Sequence, residues 1–281
     1  MADVKLSAFA DEYATALDGQ LRGLNSLGIK HIEVRNLDGK NISKMSSDEV
    51  KIAKQKFDAA GISVSAVGSP LGKIRLDGDL REHMEKAKHV FETANILGAR
   101  YVRMFSFYAP EGKNIVDMKD AAVDALGEML RIAKQHGVVL CHENEAKIYG
   151  DTPERCRELL DIFGGELKCV FDMGNFVLEG VDPYPEAYEL LREYIAYFHI
   201  KDALAAGAVV PPGCGEAKIK QILAAHREYA KDDFFVSLEP HLQTFGGLNA
   251  LVGREFENPY QYPDAKTAFE DAVKEFKELI Q

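Results

Sequence analysis

The chain has 281 residues, with 34 Lys and Arg against 45 Asp and Glu, a formal net charge of −11 and a pI of about 5.3. That balance argues against duplex nucleic acid or an anionic membrane as partner, because both draw their affinity from clustered cations. Hydrophobic residues at 46% and charged residues at 28% describe a globular protein with a core.

No apolar run approaches the ~18 residues of a membrane span. The opening MADVKLSAFADEYA has neither the basic flank nor the apolar core of a signal peptide, so a cytoplasmic location is expected. Cys141, Cys156, Cys169 and Cys214 stand far apart with no CxxC, which predicts buried reduced thiols rather than a zinc cluster or a disulfide framework.

Short apolar or β-branched runs alternate with amphipathic stretches from end to end. In chain order the runs are VKLSAFA from Val4, HIEVRNL from His31, ISVSAVGSP from Ile62, YVRMFSF from Tyr101, VVLCHEN from Val138, LKCVFDMGN from Leu167, AYFHIKD from Ala196 and FFVSLEP from Phe234. Helices between them are punctuated by Ser46-Ser47-Asp48-Glu49 and Thr152-Pro153-Glu154 at starts, and by Gly28, Gly61, Gly98 and Gly137 just past ends.

Eight βα units of about 30–35 residues predict an α/β fold, a (β/α)8 TIM barrel forming one domain over residues 1–281. A doubly wound sheet is disfavoured, since Phe9-Ala10-Asp11-Glu12-Tyr13 stands where a GxGxxG would follow the first strand. Three long loops, Gly68 to Asp79, Asp202 to Glu216 and His241 to Asp264, all follow strands and so fall on the C-terminal face, where barrel active sites lie. The last is rich in Pro, Gly and aromatics from Phe245 to Tyr262, as a lid or a homodimer contact would be.

Four consecutive strands end in polar residues: Glu143, Asp172, His199 and Glu239. Period-2 alternation puts each on the face that carries Cys141, Val170, Tyr197 and Ser237. If that face looks into the barrel, three carboxylates and one imidazole share a small volume, and such a set calls for a divalent cation. Mn²⁺ or Mg²⁺ suits the oxygen-rich donors, with Co²⁺ and Zn²⁺ as alternatives.

Leu140-Cys141-His142-Glu143-Asn144, Val170-Phe171-Asp172-Met173-Gly174-Asn175, Tyr197-Phe198-His199-Ile200-Lys201-Asp202 and Ser237-Leu238-Glu239-Pro240 resemble the metal-site motifs of the sugar phosphate isomerase/epimerase group, the xylose isomerase-like TIM barrels. The resemblance spans the chain. It implies one Mn²⁺-type ion held by Glu143, Asp172, His199 and Glu239, with Glu143 and Glu239 as acid/base catalysts on a small keto-sugar, sugar phosphate or polyol. Proton removal beside a carbonyl gives an enediolate, from which isomerisation, epimerisation or dehydration of the 2-keto-myo-inositol type can follow. An apurinic endonuclease on the same barrel would need a His-rich three-zinc site, and the acidic charge speaks against it. A non-catalytic metal-binding barrel is the remaining alternative, against which two intact glutamates stand.

Two positions depart from the epimerase pattern. Asn175 replaces a substrate-contacting His, and Lys201 stands where an Arg is often near, which weighs against ketose 3-epimerisation. Lys201, Asn175, Glu33, Arg35, Arg103 and Lys73 are the expected substrate contacts. Lys201 points inward only if its strand continues; otherwise a salt bridge to Asp202 or another acid at the barrel rim is expected. Glu33 and Arg35 alternatively pair with each other. The backbone of Gly213-Cys214-Gly215-Glu216 is expected to form a simple tight turn, with an anion cradle as the alternative reading. His142 and Glu145 have the wrong parity for the site, though Glu145 can turn back in its loop. The charged stretch from Arg81-Glu82-His83 to Lys88 reads as solvated helix surface.

Overall fold

The computed structural model describes residues 2–244 and 260–281. Its eight parallel strands are β1 (Val4–Ala8), β2 (His31–Val34), β3 (Ser63–Gly68), β4 (Tyr101–Met104), β5 (Val139–Glu143), β6 (Lys168–Asp172), β7 (Ile195–Ile200) and β8 (Phe234–Leu238). They pair in the order β1-β8-β7-β6-β5-β4-β3-β2, and β1 and β2 lie side by side to bring the barrel nearly to closure. Every expected strand is present. Several stop earlier than the apolar runs suggest, β4 at Met104 and β1 at Ala8, because the residues beyond turn over the barrel rim.

The helices follow the local signals. Helix α1 (Leu17–Ser26) is followed by Gly28 at φ +68°. Helix α2 (Ser47–Ala60) starts at a reciprocal capping box between Ser46 and Glu49. It stops at Gly61, α3 (Leu80–Leu97) at Gly98 and α4 (Lys119–His136) at Gly137, all left-handed. Helix α5 (Pro153–Ile162) has Thr152 as N-cap and proline in its first turn. Beyond these come α6 (Met173–Leu178), α7 (Tyr188–Leu191), α8 (Ile219–Tyr229) and α9 (Ala265–Leu279).

Two cores result. The larger lies between sheet and helices. A smaller one, Ala66, Cys141, Val170 and Tyr197, plugs the lumen, as filled barrel interiors require. Three of its members share their strand faces with Glu143, Asp172 and His199, so the polar cluster rests on an apolar floor. Cys141, Cys156 and Cys169 are buried free thiols and Cys214 is a half-buried one.

Two expectations need correction. His83 is not surface: it is buried, and its Nε2 accepts the Gly72 backbone N–H at 2.8 Å. That bond helps hold the loop after β3, where a Cβ on Gly72 (φ +83°) would stand 1.8 Å from the Phe105 carbonyl oxygen. The Gly213–Glu216 backbone does cradle an anion, but the anion is the chain's own Asp202. Its carboxylate accepts the N–H groups of Ala203, Gly213, Gly215 and Ala217 at 2.8–3.0 Å. Most of the aromatic loop expected to be a lid or dimer contact lies outside the described residues. No helix among the described residues is long and apolar enough to cross a membrane.

Candidate metal centre

Strand register brings the four strand-end residues together. Asp172 pairs with His199 across β6 and β7, and Ser237 with His199 across β7 and β8. The ladder continues one step, through Glu239 N–H to the Ile200 carbonyl at 3.0 Å, which carries Glu239 to the same level. One ligand atom from each of Glu143, Asp172, His199 and Glu239 lies within 4.8 Å of every other, and all four residues are buried.

Each carboxylate divides its two oxygens between an anchor and the centre. Glu143 Oε2 accepts from Arg103 at 2.7 Å, and Oε1 faces His199 Nδ1 at 2.9 Å. Asp172 Oδ1 caps α6 by accepting the Asn175 N–H at 2.8 Å, and Oδ2 faces inward. Glu239 Oε1 accepts from Arg35 at 2.7 Å, and Oε2 lies 3.5 Å from His199 Nδ1. Three inward oxygens and one imidazole nitrogen, each locked by an outer partner, fit a divalent cation with a preference for oxygen donors.

His199 is held from below by Glu33, whose Oε2 lies 3.2 Å from Nε2 and whose Oε1 accepts the Tyr197 hydroxyl at 2.9 Å. With carboxylates facing both ring nitrogens the ring is held protonated while no ion is bound, and a divalent ion on Nδ1 would displace that proton. Burial opposes that charge, but Glu143 and Glu33 outweigh it and raise the pKa to about 10. Burial, reinforced by Glu143 and Glu239, pushes Asp172 up to about 7 against the pull of Lys201. Glu143 is held well below the carboxylate range despite burial, by His199 and Arg103. Glu239 is held low in the same way, chiefly by Lys201, His241 and His199.

Above the cluster opens a cavity of about 160 Å³, lined among others by Arg35, Lys73, Arg103, Phe105, Glu145 and Lys201. Lys73 sits 4.2 Å from the Phe105 ring centroid and 2.9 Å from Glu145 Oε2, so Glu145 does turn back to the site from its loop. Lys201 turns inward although β7 ends at Ile200. Its partners are Asp172 and Glu239 rather than Asp202.

Two of the residues expected to contact substrate do not line this cavity. Glu33 is outside the cavity lining and supports His199. Asn175 is buried beside it, donating to the Asn144 carbonyl at 2.9 Å and accepting from Lys201 at 3.0 Å. Arg35 does not pair with Glu33; it forks onto Asp11 at 2.8 and 3.1 Å and reaches Glu12 at 3.1 Å. His142 points away from the site, into the layer behind the strand, at 2.9 Å from Ser106 Oγ.

Sequence reasoning missed Asp11, Glu12 and His241 as companions of Arg35, and Asn144. The Asn144 amide exchanges two 2.9 Å bonds with the Asp172 backbone and so extends the β5–β6 ladder to the level of the cluster. Glu12, Glu239 and His241 also come close enough to hold an ion. The Arg35 guanidinium already lies among them, 3.3 Å from His241 Nε2.

This architecture is that of a (β/α)8 barrel with a buried cluster of candidate metal ligands at its C-terminal mouth. Residues 21–279 match the xylose isomerase-like TIM barrel model, and the chain belongs to that family. No curated protein sequence matches it. Among solved structures it is similar to the probable 3-DHS dehydratase AsbF of Bacillus anthracis, with 18% identity, 99% of each chain covered and a TM-score of 0.73. It is also similar to the IolI protein with a bound zinc atom (20%, 98% of each, 0.72). A third likeness is to D-psicose 3-epimerase with D-tagatose from Clostridium cellulolyticum (14%, 99% of each, 0.72). At these identities the likeness is one of fold.

Proposed function

We propose that this protein is a divalent-metal-dependent isomerase or epimerase of a small keto-sugar, sugar phosphate or polyol. The observation that carries the reading is the division of each carboxylate between an outer anchor and a shared centre completed by His199 Nδ1. Glu143, Asp172, His199 and Glu239 would hold the ion, Mn²⁺ being our choice for this donor set. It supplies positive charge beside a carbonyl or hydroxyl, which lowers the cost of forming an enediolate.

The chain's own groups do the rest. Glu143 and Glu239 come from β5 and from just beyond β8, strands that are not neighbours in the barrel, and both line the cavity, which would let them approach one substrate from two directions. Both are held ionised; either can remove a proton from carbon and, having become the acid, return it to the same or the adjacent carbon, whereas return to the opposite face by the other requires that it first take a proton from solvent. Arg103 and Lys73 offer donors to substrate oxygens, with Phe105 as an apolar wall.

A dehydratase reading finds support in Lys201. Its ammonium lies 3.3 Å from Glu239 Oε2 at the cavity floor, where it can donate to a departing hydroxyl. The two readings separate on the product, an isomer or a dehydrated compound. For both, Mn²⁺-dependent uptake of deuterium from heavy water into a ketose or polyol should vanish in Glu239→Gln with the fold intact; unchanged uptake rules out Glu239 as the base.

A further inference from the structure

Lys201 lies one residue beyond β7, yet its buried side chain enters the barrel mouth. The ammonium is 2.9 Å from Asp172 Oδ2 and 3.3 Å from Glu239 Oε2. These are the inward oxygens of the cluster, the same atoms that lie 3.9 and 3.5 Å from His199 Nδ1. Lys201 therefore holds two of the lone-pair sites on which a divalent ion depends.

The cluster's other supports are poorly suited to leaving. The Asn175 N–H belongs to the backbone of α6, and Arg35 is forked onto Asp11. Lysine instead carries a compact charge on a flexible four-carbon stem. Here the stem is gripped at its root, where a Cβ on Gly174 would come within 2.7 Å of Lys201 Cγ, while the residue borders the cavity above.

We propose that Lys201 is a displaceable internal cation, whose ammonium ties Asp172 to Glu239 until a divalent ion takes their inward oxygens and then swings into the cavity to donate to a substrate oxygen. The inference rests on the metal-site reading above. Two cations on the same buried oxygens repel with little screening. The ion carries twice the charge and gains Glu143 and His199 as well, so the ammonium is the one that yields. Its outer torsions move between staggered wells, a small cost beside that repulsion. The donor for substrate thus becomes available through the event that completes the site.

The test uses the full chain. Mn²⁺ affinity is measured by calorimetry for the unaltered protein, Lys201→Met and Lys201→Gln, and a crystal structure is determined for the unaltered protein with Mn²⁺. Loss of the competitor should tighten Mn²⁺ binding in both variants by about tenfold or more, the scale on which neighbours of metal ligands act. With Mn²⁺ bound, Lys201 Nζ should stand beyond hydrogen-bond reach of Asp172 Oδ2, at more than about 3.5 Å, and point into the cavity.

Equal or weaker binding by both variants, or an ammonium still bonded to Asp172 beside bound Mn²⁺, overturns the proposal and makes Lys201 a permanent brace. Those outcomes leave the metal site standing, whereas absence of Mn²⁺ binding in all three proteins removes the metal reading and this inference together. Should neither variant fold, the position of Lys201 in the Mn²⁺ structure decides.

Discussion

His142 and Glu143 are neighbours on β5 and face opposite sides of the barrel wall. The packed layer behind the strand, where His142 lies, offers it the Ser106 hydroxyl; burial drives its pKa down to about 4. The lumen is as thoroughly buried, yet there His199 is raised to about 10 because Glu143 and Glu33 face its two nitrogens. Burial therefore does not decide whether a histidine is charged. The charges sealed in with it do. His83 and His226 repeat the pattern of His142, each lowered to about 4 by burial.

The sharpest way to break this contrast is to remove charge from the lumen. Glu239→Gln takes away a proton carrier and a ligand-cluster oxygen together, and a loss of roughly 10³-fold or more in deuterium uptake is expected, within the range for a positioned acid or base. Glu33→Gln leaves the cluster whole but weakens the hold on the ring of His199. Metal affinity should fall about 10- to 100-fold by calorimetry, with the circular dichroism spectrum unchanged. An unaltered affinity would mean that Glu33 is only a filler of the barrel floor.

Loading the site is the next largest effect. At about 100 times its dissociation constant Mn²⁺ should stabilise the fold by roughly 2.7 kcal/mol, read as a rise of several degrees in Tm that a chelator reverses.

The smallest effect concerns pH. His83, His142 and His226 have folded pKa values below the ordinary imidazole value of about 6.5, so the unfolded chain binds more protons than the native one as the solution is acidified. The stability they contribute is complete above about pH 6.5 and is lost progressively toward pH 4. His199 has the opposite sign: its contribution is full below pH 6.5 and declines as pH rises through about 10. Denaturant melts between pH 4.5 and 6.5 should show a shallower acid slope in His226→Gln than in the unaltered chain, by up to one proton's worth (roughly 1.4 kcal/mol per pH unit).

Much of this contrast was legible in the alternation of strand residues. Period 2 separates His142 from Glu143 and aligns Glu143, Asp172, His199 and Glu239 without any knowledge of the fold beyond its parallel order. Glycines after helices and caps before them gave the βα repeat. What period and propensity do not encode is contact between distant segments. Glu33 was expected at the substrate, but it comes to rest under His199, and β2 and β3 shift register at Ile32 and Glu33. Lys201 turns inward past its strand end because Asp172 and Glu239 attract it there. Asp202 finds its partners in backbone N–H groups eleven to fifteen residues on, a cradle that glycines hint at without naming its occupant.

Asp172 is at once the last residue of β6 and the N-cap of α6, so no loop separates this part of the centre from the framework. The neighbouring joints are different: long segments follow β3, β7 and β8, and the first of these carries Lys73 over the cavity. Such a chain can be remodelled piecewise. Insertions or exchanges in the long segments alter what fits over the centre, while the strand-to-helix junction at Asp172 keeps the candidate ligands in register. On the function proposed above, grafting the segment from Gly68 to Asp79 from a relative is a route to new substrate preference at constant chemistry.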